Sequence, residues 1–162
     1  MASVPLAAQP IAGILADELV ALRDFVALLK TEQSILVEGD ADGLATLIEK
    51  KSALAARLTD CSQGRETALA ASKLPSGRAG MDAWLAAIPD DATARKNWQE
   101  LLPLAVEARN LNELNGKLIG TRLQHNQQVL AALMSATERA MTYGPDGQSL
   151  ASAGSGRMLG SA

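Results

Sequence analysis

The sequence predicts an all-α protein, an elongated antiparallel helical bundle of three long helices and one short helix, followed by a flexible C-terminal tail. Three observations carry that expectation. Apolar residues make up 48% of the chain but aromatic residues only 2%, with Ala and Leu supplying most of the apolar content. Both are strong helix formers, whereas strand-favouring residues are scarce. Apolar residues also recur every seven positions in two separate stretches, and turn and capping residues punctuate the chain between them.

Residues 1–9 read as a loose leader. Pro10 suits the first turn of a helix, where its missing N–H costs nothing. The first helix then runs to about Glu38, with Leu15, Leu22, Leu29 and Leu36 as its seam and Ile11, Leu19, Phe25 and Val26 beside it. Glu18 and Glu32 interrupt the seam and argue against a long, purely dimeric coiled coil. Gly39 fits a C-terminal cap, and Asp40 or Asp42 an N-terminal cap. The second helix is expected over 41–73, with Leu47, Leu54, Cys61 and Ala68 at heptad spacing. A two-residue break between long helices predicts an antiparallel hairpin. Leu74-Pro75-Ser76-Gly77 ends it. A short apolar piece from Met81 to Ile88 carries Trp84, expected as a lid on one end of the bundle, and stops at Pro89. Asp90 or Asp91 starts a third long helix reaching about Met141. Pro103 cannot donate to the carbonyl of Gln99, which predicts a kink or a break there. The expected division is a helical bundle over 1–142 and a tail over 143–162, where Gly, Ser and Ala dominate and charge is sparse.

The bulk chemistry argues against several classes. The net charge is -3, with no basic stripe for nucleic acid, and the four aromatics (Phe25, Trp84, Trp98, Tyr143) are scattered. Cys61 is the only cysteine and is read as a buried structural thiol. The N-terminus lacks the early positive charge of a signal peptide, and no apolar run approaches the ~20 residues that span a bilayer. The expectation is a cytoplasmic protein with no membrane insertion. His125, the single histidine, sits in the polar stretch 122–128 and is read as solvated. No zinc spacing or nucleophile-elbow signature accompanies it. Asn115-Gly116-Lys117 lacks the upstream glycine and the Ser or Thr of a phosphate loop. Asp40-Ala41-Asp42-Gly43 lacks a calcium loop's closing Glu, since position 51 is Lys51. No enzyme, cofactor or metal is expected.

Two stretches point to binding. Gly116 and Gly120 are poor helix formers four residues apart, beside Asn110, Asn112 and Asn115. Together they thin one helix face and let another helix come close. The stretch is either tolerated inside a bundle or marks a groove for a partner helix. Val129 to Met134 is apolar nearly all round. It either packs between two helices or stays exposed as an interaction surface.

At these residues a family comes into view. The run Asn110-Leu111-Asn112-Glu113-Leu114-Asn115-Gly116-Lys117-Leu118-Ile119 resembles the Asn-rich third-helix segment of the FlgN family, flagellar type III export chaperones. Thr142-Tyr143-Gly144-Pro145-Asp146-Gly147-Gln148, with Arg157-Met158-Leu159-Gly160-Ser161-Ala162, is similar to the C-terminal end of its proteobacterial members. The long first helix, the Gly-Asp break, and Lys51 followed by Leu54 and Leu58 fit as well. The resemblance implies a cytosolic chaperone that binds the C-terminal helices of flagellar hook-associated, or hook–filament junction, proteins. It implies delivery of those clients to the export gate and ATPase components of the export apparatus. Client binding is then expected around Leu123, Val129, Leu130, Leu133 and Met134, with the tail closing over the client. Tyr143 is read either as a helix-end aromatic packing on the bundle or, by the resemblance, as a docking residue for the gate. The rival class is a non-catalytic, self-associating helical scaffold.

Overall fold

The computed structural model describes residues 9–142. Four helices account for them: α1 (Gln9–Glu38), α2 (Ala41–Ala71), α3 (Gly77–Ala87) and α4 (Ala92–Thr142), with no strand among the described residues. The breaks follow the local chemistry. Gly39 takes φ 81°, a left-handed conformation open to glycine at little cost, and its N–H closes on the Ile35 carbonyl at 2.8 Å. Asp40 then caps α2, its carboxylate accepting the Gly43 N–H at 3.1 Å. Asp91 does the same for α4 through the Ala94 N–H at 2.8 Å. The start of α3 is met by the Glu66 carboxylate, which accepts the Gly77 N–H at 3.0 Å and suits the positive end of the helix dipole.

The chain divides into two compact units, Met1–Leu118 and Ile119–Ala162, so the division falls within α4. The boundary expected after residue 142 lies at the limit of the described residues. In the first unit, α1 supplies the largest share of the core of any one helix: Ile11, Leu15, Leu19, Leu22, Val26, Leu29 and Leu36 are buried. The short α3 adds Met81, Trp84 and Leu85, and α4 adds Ala94, Trp98, Leu101 and Ala108. Trp84, expected as a lid, is thus a buried member of the core. α2 gives less. Its seam residues Leu47, Leu54, Cys61 and Ala68 are half-buried, and Leu69 is its one buried apolar side chain. Gly80 lets α3 close on the preceding loop, because a Cβ there would sit 1.8 Å from the Pro75 carbonyl oxygen.

The two acids that interrupt the α1 seam set the register of this unit. Glu18 and Glu32 are both buried. Glu18 accepts a forked pair from Arg65 of α2, at 2.9 Å from Nε and 3.2 Å from Nη2. The same guanidinium lies 5.5 Å from the centre of the Trp98 ring of α4, a cation–π distance. Glu32 accepts Lys51 Nζ of α2 at 3.0 Å and Asn115 Nδ2 of α4 at 2.8 Å. Fourteen residues forward on α1 match fourteen backward on α2, as an antiparallel pair requires. Arg23–Glu100 and Lys30–Glu107 advance by seven on both helices, so α4 runs parallel to α1. Each acid therefore ties three helices together at a distinct height, and a partner shifted by one turn would leave it buried and unpaired.

Pro103 does not break α4, which continues through it. Both Pro103 and Gln99 are exposed, so water can satisfy the carbonyl that the proline leaves without a donor. Leu101 and Ala108, buried on either side, hold both turns against the core.

Candidate partner-binding face

The second unit presents a different surface. Every residue from 119 to 142 is exposed, including several large apolar side chains. Leu123 is 57% exposed, Leu130 58%, Leu133 61% and Met134 58%. Advancing about 100° per residue places Ile119, Leu123, Leu130, Leu133, Met134 and Met141 within an arc of about 100°, the width of one packing face. Val129 lies about 40° outside this arc and is 44% exposed. Of the two readings of the segment 129–134, the structure has the exposed one. Ile119 and Met141, both exposed, extend the stripe beyond the five residues expected from sequence. Their 3.6-residue spacing from Leu123 and Leu130 was the signal that identifies them.

The polar stretch before the stripe resolves into two kinds of position. Asn115 is fully buried and donates from Nδ2 to the Leu29 carbonyl of α1 at 2.8 Å, as well as to Glu32. This is a close approach of α4 to α1, made by an asparagine and not by a glycine. At Gly116 and Gly120 a Cβ would meet open space, so neither glycine accommodates a described helix. Tyr143 lies outside the described residues.

Elsewhere the first unit has a groove of about 520 Å³ between α1, α2 and α4, lined by Leu22, Phe25, Leu58, Leu101, Ala108 and Arg109 among others. Glu18 also lines it but is committed to Arg65. Cys61 is half-buried, not the buried thiol expected. Burial, and then the nearby Glu18 carboxylate, push its thiol up from the ordinary range, away from nucleophilic activation. His125 is exposed. No group of three His, Cys, Asp or Glu side chains able to hold a metal occurs among the described residues, and no helix among them is long and apolar enough to cross a membrane.

The arrangement is thus a polar-clamped helical core and an uncovered apolar helix face, and its sequence matches one family model over residues 1–151, that of the FlgN protein. The chain belongs to the FlgN family. It is similar to the flagella synthesis protein FlgN of Yersinia enterocolitica, 29% identical over 148 residues, which cover 90% of this chain and 93% of that protein. The flagella synthesis protein FlgN of Salmonella typhimurium is 29% identical over 140 residues, covering 85% and 89% of the two chains. No solved structure matches the chain. The FlgN match takes in the whole apolar stripe and the segment Thr142 to Gln148, and ends before Arg157.

Proposed function

We propose that this FlgN-family chain acts in flagellar assembly as a cytosolic export chaperone. It binds the C-terminal helices of hook–filament junction proteins, keeps them from assembling early and delivers them to the flagellar type III export gate. The observation that carries this reading is the uncovered stripe centred on Leu123, Leu130, Leu133 and Met134 in a chain of this family. A soluble protein that exposes a contiguous apolar helix face has a partner for it, and an amphipathic client helix covers such a face in helix-against-helix fashion. Met134 and Met141 supply side chains that adapt to more than one client. The Yersinia and Salmonella relatives are named flagella synthesis proteins, which supports partners among flagellar proteins. In this reading the segment 143–162 closes over the bound client, and Tyr143 contacts the gate, where tyrosine contributes buried area at low entropy cost and a hydroxyl.

Calorimetric titration of the full chain with C-terminal fragments of the junction proteins tests the reading. Saturable binding at a stoichiometric ratio, lost when the client's terminal helix is deleted, is expected. Absence of binding to every junction protein, together with concentration-dependent self-association, would replace the chaperone by the self-associating scaffold.

A further inference from the structure

α4 is packed along only part of its length. Its buried positions, Ala94, Trp98, Leu101, Ala108 and Asn115, end at Asn115. Leu118 is half-buried, and every described residue from 119 onward is exposed. Helices in folded proteins draw most of their stability from such packing, so beyond this point intrinsic propensity carries more of the load. The last anchor is followed at once by Gly116 and then by Gly120, with Asn110, Asn112 and Asn115, also weak helix formers, just before them. The division between the two compact units falls between these glycines, at Leu118 and Ile119.

Neither space nor backbone conformation explains the two glycines. In the core, a Cβ on Gly80 would sit 1.8 Å from the Pro75 carbonyl oxygen, one on Gly43 2.5 Å from the Asp40 carboxylate, and one on Gly64 3.5 Å from Ile14. At Gly116 and Gly120 a Cβ would meet nothing within 4 Å, as at Gly13 in the opening turns of α1. Positive φ among the described glycines is confined to Gly39 and Gly77, so alanine fits at both positions. Lys117, Thr121 and Arg122 all have partners, so the turns around the glycines form. What the glycines lower is the stability of those turns. Each shifts the local helix–coil balance about fivefold towards coil relative to alanine.

We propose that Gly116 and Gly120 divide α4 into two units of stability. The part through Asn115 opens only with the core, where Asn115 is bound to Glu32 and to the Leu29 carbonyl. The part from 119 to 142 opens and re-forms on its own and leaves the clamped core intact. A binding face that is helical for only a fraction of the time binds with an affinity reduced by that fraction. The glycines therefore weaken the hold on a client and let it go by opening the distal helix alone. This consequence rests on the reading that the stripe binds a client; the division itself does not.

Hydrogen exchange followed by mass spectrometry tests the division, on the full chain, native and with Gly116→Ala and Gly120→Ala together. In the native chain, amides of 121–142 are expected to exchange at least about a hundredfold faster, relative to their intrinsic rates, than those of 98–115. In the variant, amides of 116–124, whose opening melts both glycines, are expected to slow by up to about thirtyfold, about fivefold for each glycine. Protection of 98–115 is expected to stay unchanged. Titration with a junction-protein C-terminal fragment is expected to show tighter binding by the variant. Uniform protection along α4, or unchanged exchange at 116–124 in the variant, overturns the proposal. So does weaker binding of the fragment by the variant, which would make the glycines a place where the client comes close. Because exchange is read on the free chain, absence of client binding by the native chain refutes the client reading and not the division.

Discussion

Replacing Arg65 with methionine isolates what the buried acids do for the core. In the native chain the guanidinium holds Glu18 through two hydrogen bonds of 2.9 and 3.2 Å, reaches Glu66 at 3.2 Å, and lies 5.5 Å from the Trp98 ring centre. The two paired side chains are only 9% and 8% exposed. Arg65→Met keeps most of the volume but strands the Glu18 carboxylate in the core, an expected loss of about 3–5 kcal/mol. With a urea slope of about 2 kcal/mol/M, the unfolding midpoint should fall by roughly 2 M. Adding Glu18→Leu removes the stranded charge, so the double variant should regain most of that loss and match or exceed the native stability. Urea titrations followed by helical circular dichroism, with slopes compared across native, single and double variants, read this out. A single-variant cost below about 1 kcal/mol, the range of an exposed ion pair, would refute the argument. So would a double variant no more stable than Arg65→Met.

Further outcomes follow from other positions. Gly80→Ala should lower stability by about 1–3 kcal/mol, since its Cβ would meet the Pro75 carbonyl oxygen at 1.8 Å; a thermal melt compares the two. Cys61, half-buried with its thiol pushed up, should be alkylated more slowly than a free model thiol at neutral pH, with the rate rising only at higher pH. Tyr143→Ala should reduce export of junction proteins in motile cells while leaving client affinity unchanged, and unchanged export would end the docking role.

The hairpin was legible because its signals are local. Gly39 and Asp40 act on their nearest neighbours, and the leucine heptads of α1 bury one face whatever covers it. The uncovered stripe was legible in part. Six consecutive apolar residues from Val129 to Met134 exceed what one packing face hides, yet periodicity alone leaves open whether a second helix lies against them. The roles of Glu18 and Glu32 were hidden, because their partners stand 47, 19 and 83 residues away and an acid in a seam reads as an interruption until they are in place. Asn115 was hidden for the same reason, since its weak helix propensity is visible in sequence but its acceptors on α1 are not. Pro103 predicts a kink or a break, and α4 continues through it without a break. Its missing donor is a local certainty, whereas the exposure of Gln99 to solvent and the core that holds Leu101 and Ala108 are tertiary facts.

The central claim is that the exposed stripe of residues 119–142 binds the client. The most direct measurement is the affinity of the full chain carrying Leu130→Ala and Leu133→Ala for a junction-protein C-terminal fragment, taken together with its melting temperature. Both leucines are more than half exposed, so their truncation should leave helix content and melting temperature near native. Each is expected to act as a buried contact once the client is bound, costing about 2 kcal/mol at a hot spot, so affinity should fall more than tenfold. Near-native affinity in a folded double variant would contradict the claim.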